Sequence, residues 1–488
     1  MDANMGHLLT TILQALYIIC AALLALYTCG QALLLIQYLR HKTTQPAPPI
    51  PDTWPHVTVQ LPIYNEQYVV QRALEALAAL DYPHLHIQVL DDSTDETRRV
   101  VAEGVAHLQK RGISIEQVTR PTRDGYKAGA LAIGLDRIDS DYVAVFDADF
   151  VPTPDFLKQV LPHLLADDRL GLVQTRWSHL NPDENALTQA QRLAVDTHFM
   201  IEQQARSHSG WLMPFNGTGG VWRVAAIEDA GGWNGDTLTE DLDLSYRAQL
   251  RGWRAKLLPD VVVPGELPSQ LAAYEQQQAR WAVGSLQNLL VHGGAVMRSD
   301  RPLLHRFMAL HHLCQYVPQA LMLLMLLLAP PLLLNNALTS LSLAPLGVLG
   351  LVPPLMYAVT QVRLRDDWPR SLAAFPLLVV LGTGLIWRNT AAMARALFGV
   401  TPGFQRTPKF GDTKKGNRYT QHRAWPWPEF LLMLYALLAA WLAVEREPAL
   451  VPYLLLHGVS FAMVVGWHLR DRLQARQKQP QQSVQHTS

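Results

Sequence analysis

Residues 56–92, HVTVQLPIYNEQYVVQRALEALAALDYPHLHIQVLDD, change their apolar spacing twice. The two ends, HVTVQLP and HIQVLDD, are short apolar runs that read as strands, and the middle, EQYVVQRALEALAAL, repeats apolar residues at helical spacing. A strand, a helix and a second strand in succession form the unit from which α/β sheets are built. Residues 141–149, DYVAVFDAD, add a further strand that also ends in acids. Ligand-binding groups in such sheets gather at the carboxyl ends of strands, where Asp91, Asp92, Asp147 and Asp149 stand. No GxGxxG follows a strand, and the GTGG at 217 lacks that setting, so a dinucleotide site has little support. The expected fold class is α/β.

Outward from this centre the 488-residue chain becomes apolar at both ends. Residues 8–39 carry no charge and exceed the ~20 residues that cross a bilayer core, so 1–42 is expected to form a transmembrane helix. Arg40 and Lys42 follow at once, which puts the N-terminus outside and the next segment in the cytoplasm. Later apolar runs cover 309–334, 341–361, 372–387, 430–444 and 449–469. Basic loops assigned to the inside place both ends of 372–387 on one face. That run is therefore expected to be re-entrant or interfacial, together with the amphipathic RNTAAMARALFG. Five full spans remain, with the C-terminus inside. The expected organisation is a cytoplasmic domain over 52–300, a membrane region over 301–470 and a disordered tail over 471–488.

The 41 basic and 41 acidic side chains cancel, which argues against a nucleic-acid partner. Cys20, Cys29 and Cys314 have neither metal-ligand nor disulfide spacing and read as small apolar residues. The acids carry more information. Two carboxylates one residue apart repel each other unless a cation lies between them, and a hard divalent metal with a diphosphate would satisfy both Asp147 and Asp149. DxD alone also fits a solvated turn. In TLTEDLDLSYRAQLRGW, residues 237–253, the acids crowd a helix start, where capping and the macrodipole favour them. One of them could equally serve as a general base. The third group is QQQARW, 276–281, ahead of the membrane region, where it reads either as an ordinary surface helix or as a phosphate and sugar site.

In order, these groups form a D, DxD, TED, QxxRW series. On that series, and on the strings LPIYNE, VLDDSTDET, GYKAGAL, FNGTGGVWR and AGGW, the chain resembles the processive inverting glycosyltransferases of family 2 over about residues 57–290. Within that family it is most similar to the cellulose-synthase-like mannan and glucan synthases. The resemblance implies a GT-A fold, a Rossmann-like mixed sheet that binds a nucleotide sugar. It implies nucleotide contact at Asp92 with Asp91 beside it, donor binding at Lys127, and a Mg2+ or Mn2+ site at Asp147 and Asp149. It further implies a catalytic base at Asp241 beside Glu240, diphosphate and acceptor-end contacts at Gln277 and Arg280, and an acceptor platform at Trp281. GVTPGFQRTPKFGD, 399–412, resembles the family's FxVTxK gating loop, with Phe404, Thr407 and Lys409 in register and Arg406 in place of valine.

The activity expected from the resemblance is transfer of hexose from UDP-glucose or GDP-mannose, with inversion, to a growing β-linked glycan, coupled to its translocation. The sequence does not choose between the two donors and leaves an accessory export subunit open. Single-sugar transfer to a lipid such as ceramide or diacylglycerol remains an alternative. A membrane protein that merely carries an α/β domain would leave the acids unexplained.

Overall fold

The computed structural model describes residues 2–41, 48–338, 348–400 and 425–477. The loop expected to gate, with Phe404, Thr407 and Lys409, lies outside the described residues, as does 478–488. Helix α1 (Asp2–Arg40) is unbroken. There follow β1 (Val57–Ile63), α2 (Val70–Ala78), β2 (Leu85–Asp91), α3 (Thr97–Lys110), β3 (Ile115–Val118), α4 (Tyr126–Leu135), β4 (Tyr142–Val145) and α5 (Phe156–Leu165). The domain is completed by β5 (Leu170–His179), α6 (Ala186–Thr197), α7 (Gln204–Ser209), β6 (Gly220–Arg223), α8 (Val224–Asp229), α9 (Glu240–Leu250), β7 (Arg254–Gly265) and α10 (Leu271–Arg298).

The seven strands form one mixed sheet in the order β3-β2-β1-β4-β6-β5-β7. β1 is parallel to β2 and β4, whereas β6 runs antiparallel to both β4 and β5. The expected α/β class and its mixed sheet are what the chain builds. Helices cover both faces, so the central strands bury consecutive residues: Val143, Ala144, Val145 and Phe146 are all fully buried. Register then sets the site. Ile63 pairs with Asp91, so the segments leaving β1 and β2 run on side by side. The Phe146 N–H donates to Gln60 O at 3.1 Å, which brings the DAD segment alongside them.

Beyond α10 lie α11 (Leu303–Leu313), α12 (Val317–Leu334), α13 (Val352–Leu364), α14 (Trp368–Leu372), α15 (Phe375–Gly384), α16 (Ile386–Leu397), α17 (Trp427–Arg446) and α18 (Val451–Gln477). Among the described residues, five stretches are long and apolar enough to cross a membrane: Met5–Arg40, Val317–Leu334, Trp368–Leu397, Trp427–Arg446 and Pro448–Leu473. This differs in detail from the expected five. The described part of the 341–361 run yields the 13-residue α13, about 20 Å long and short of a ~30 Å core. The stretch expected to be re-entrant or interfacial lies within a 30-residue segment, Trp368–Leu397, that is apolar enough to cross a membrane. It is interrupted before α15, where Pro376 lacks an N–H and crowds the preceding turn, and again at Leu385. Helix α18 runs on to Gln477, into the stretch expected to be a disordered tail, in keeping with the helix formers of RDRLQARQ.

Candidate active site

A cavity of about 530 Å³ opens at the carboxyl ends of β1, β2 and β4. Asp92, Lys127, Asp147, Asp149, Glu240, Asp241, Gln277, Arg280 and Trp281 all line it. Lys127, from the first turn of α4, organises the acids. Its Nζ donates to Asp147 Oδ1 at 2.5 Å and to Gly217 O at 2.8 Å, and lies 3.9 Å from Glu240 Oε1. Burial alone would discharge this ammonium, but Asp147, Glu240 and Asp241 outweigh it and hold its pKa above the ordinary lysine value. Asp147 is raised by burial and by Asp149 and Glu240, with Lys127 offsetting only part of the effect. Asp241, in the first turn of α9, is pushed up to about 7 by burial and by Glu240, against the pull of Lys127. Gly217 closes the group. With φ +84°, it passes so near Asp241 that a Cβ there would sit 2.9 Å from its Oδ2.

The structure separates the two acids that follow β2. Asp92 faces the cavity and is clamped by Arg120, whose Nε and Nη2 donate to its two oxygens at 2.7 and 2.6 Å. Asp91, expected beside it as a donor ligand, does not line the cavity. It is 4% exposed and accepts from Ser93 N at 2.9 Å and from Gln117 Nε2 at 2.8 Å, so its carboxylate braces the loop from beneath. Arg123 lines the cavity as well, its guanidinium 3.3 Å from the centre of the Tyr64 ring. Neither arginine was singled out from sequence. The signal available was their position in TRPTRDGYKAG, directly ahead of Lys127.

Helix α10 carries the QQQARW group and presents Gln277, Arg280 and Trp281 on one face. At about 100° per residue from Glu275, Gln277 lies at about 200°, Arg280 at about 140°, Trp281 at about 240° and Gly284 at about 180°. The same face continues to Gln287 and Asn288, which hold the segment leading into α9. Gln287 Oε1 accepts from Leu238 N at 2.8 Å, and Asn288 Nδ2 donates to Thr239 Oγ1 at 3.0 Å. Gly284 allows this approach, since a Cβ there would come within 2.5 Å of Thr239 Cγ2. Gly284→Ala is therefore expected to push Thr239, and Asp241 with it, out of place. Because a displacement of about 1 Å can cost about 10²-fold in rate, kcat should fall at least about tenfold while nucleotide affinity stays within about threefold. Steady-state kinetics with a nucleotide titration checks this; unchanged kcat would refute it.

Other acids of the TED region turn away. Asp243 is bound by His292 Nε2 at 2.8 Å and Arg247 Nη2 at 2.5 Å, and Asp236 pairs with Asn234 ahead of the helix. Sequence reasoning also missed the turn His198–Gln203, which is π-helical and places His198 and Glu202 on the cavity wall. His198 Nε2 lies 3.2 Å from Asn216 Oδ1, next to the Gly217 that flanks Asp241. Nothing in HFMIEQ foretells a π-turn.

The donor set fits a hard divalent cation. Among the described residues no cluster of three or more His, Cys, Asp or Glu side chains offers a complete protein cage. Asp147 and Asp149 instead supply two carboxylates at an open cavity. Mg2+ and Mn2+ sites are commonly built from one or two carboxylates, with water and substrate phosphate completing the shell.

Residues 55–284 match the family described as "Glycosyltransferase like family 2". The chain is 45% identical over 239 residues to glucomannan 4-beta-mannosyltransferase 2 of Arabidopsis thaliana, covering 48% of this chain and 45% of that one. It is 44% identical over 253 residues to glucomannan 4-beta-mannosyltransferase 1 of Oryza sativa subsp. japonica, covering 48% of each. The chain thus spans about half the length of the curated relatives it matches. Among solved structures it is similar in fold to the mannosyltransferase PcManGT from Pyrobaculum calidifontis in complex with GDP-Man and Mn2+. That likeness has a TM-score of 0.53 at 23% identity, over 79% of this chain and 99% of that one.

Proposed function

We propose, from the premise that residues 55–284 are a family 2 glycosyltransferase domain, that this membrane protein transfers mannose from GDP-mannose, with inversion, to a growing β-linked glycan. The observation that carries the reading is a single cavity in which the acids, Lys127 and the QQQARW face of α10 converge. The likeness to plant glucomannan 4-beta-mannosyltransferases favours a 4-linked mannan or glucomannan over a glucan.

In the proposed step Asp241 accepts the proton of the acceptor hydroxyl, whose oxygen bonds to the anomeric carbon. The bond from that carbon to the β-phosphate oxygen breaks on the opposite face, and its electron pair leaves with GDP. Mg2+ or Mn2+ held by Asp147 and Asp149 would neutralise charge on the diphosphate. Asp92, with Arg120 and Arg123, takes the nucleoside end. Gln277 and Arg280 contact the diphosphate and the acceptor end, the guanidinium donating as a planar fork, and Trp281 offers its ring to the acceptor sugar. Tyr27, Tyr316 and Tyr357 extend the wall toward the membrane helices, which supports a glycan path leading outward. The basic loops favour a cytoplasmic domain, an outside N-terminus and an inside C-terminus.

The test is incubation of the purified full-length chain with labelled GDP-mannose or UDP-glucose, with Mn2+, Mg2+ or chelator, followed by sizing of the product. A mannose polymer that chelation abolishes is expected. Full activity in excess chelator would overturn the metal assignment, a glucose polymer the donor assignment, and a lipid bearing one sugar the polymer assignment.

A further inference from the structure

Helix α10 has a back as well as a front. Glu275, opposite Gln277, Arg280 and Trp281 around the helix, is 2% exposed and faces the last membrane helices. His468 of α18 sets its Nε2 3.1 Å from Glu275 Oε1. Arg388 of α16 places Nη1 3.4 Å from Glu275 Oε2, Nε 2.6 Å from Glu429 Oε1 on α17, and Nη2 3.3 Å from His468 Nε2. Two buried carboxylates thus meet at one guanidinium, and four helices are joined through these ion pairs and the hydrogen bond between His468 and Glu275, although Arg388 Nε makes no aligned hydrogen bond.

We infer that Glu275 and Arg388 are positioning residues for transfer, fixing the rotation of α10 so that Gln277 and Arg280 stay on the donor diphosphate. The inference rests on the roles given to those two residues above. A side-chain tip about 5–6 Å from a helix axis moves about 1 Å for a rotation of about 10°. That displacement is enough to degrade a positioned contact strongly. Apolar packing would bury the same area at least as favourably as a buried ion pair, but it permits the helix to roll. The fork of Arg388, held by Glu429 on one side and Glu275 on the other, does not. The distance along the chain is also telling: Glu275 and Arg388 stand on either side of α11 to α15 in the sequence, so the contact ties α10 to the C-terminal part of the helical bundle.

The test compares GDP with GMP on the purified full-length chain, in the presence of Mn2+. Glu275→Gln keeps the shape of the side chain and leaves Arg388 its Glu429 partner. It is expected to weaken GDP about tenfold and GMP less than about threefold, with kcat down at least about tenfold. Arg388→Lys, which keeps the charge and loses the fork, should move in the same direction by less. In an Arg280→Ala background, Glu275→Gln should add less than about twofold to the GDP loss, because both act on one contact. If Glu275→Gln does not fold, Glu429→Gln carries the same expectation through the other side of Arg388. A folded variant with unchanged GDP affinity and kcat, or one that loses GDP and GMP equally along with melting temperature, would overturn the inference. An Arg280→Ala protein that loses GDP and GMP alike would overturn the diphosphate role on which it rests.

Discussion

Asp241→Asn is expected to lower kcat by about 10² to 10⁴ while GDP affinity stays within about threefold, because a base acts on the transition state. Asparagine keeps the size of the side chain and an oxygen for the Leu242 N–H, which donates to Asp241 Oδ1 at 2.8 Å. The wild-type kcat/KM should rise with pH through about 7, the value to which burial and Glu240 push this carboxyl. A cation at Asp147 and Asp149 pulls that limb toward acid, so it should shift with metal concentration, and the residual rate of the asparagine protein should lack it. Stability has the opposite sign. A carboxyl held above its unfolded value favours the folded state while protonated and loses that contribution as pH rises from the ordinary carboxylate range through about 7. The metal-free Asp241→Asn protein should therefore melt at least about 2 °C above wild type at pH 8, with no difference at pH 4. Equal turnover, or a mutant impaired only in donor binding, would refute the base assignment.

Lys127→Met is expected to remove about two to three decades of activity and to lower the metal-free stability by about 2–3 kcal/mol. The ammonium touches Asp147 and the Gly217 carbonyl and faces Glu240, so methionine leaves like charges at the cavity wall without that cation. The part of the lost stability that is electrostatic should return as Mn2+ is added, since a divalent ion near Asp147 supplies positive charge to the same acids. Lys127→Arg, which keeps the charge but spreads its donors over a planar fork, should recover stability better than activity. The decisive measurement is a melting series in Mn2+ beside kcat. A methionine protein with wild-type turnover, or one whose melting deficit ignores metal, would refute this role.

The core of the fold was legible because 56–92 and 141–149 alternate strand and helix spacing in a way few other folds require. The converging acids were legible because carboxylates at the ends of buried strands are chemically conspicuous. Asp91 and Asp92 show where that reading stops. Adjacent acids look alike in sequence, but one ends β2 and is taken up by Gln117 on the neighbouring strand, while the other enters the loop and meets Arg120. The membrane segments were read from hydropathy, which counts residues and does not see Pro376 interrupt a helix. Glu275, Arg388, Glu429 and His468 were invisible for another reason: each is an ordinary residue of its own helix, and only packing brings them together.

The double-sided build of α10 bears on how this protein can be engineered. A fragment of about residues 52–300 would keep every strand of the sheet, the acids and the cavity face of α10, and by composition would look like a convenient soluble protein. It would also carry Glu275 to the surface stripped of Arg388 and His468, and the helix that aims the donor would be free to roll. Solubility obtained by trimming the bundle would thus be exchanged for aim. A water-soluble version would need a substitute for the missing scaffold, such as a short helical hairpin grafted to grip the back of α10.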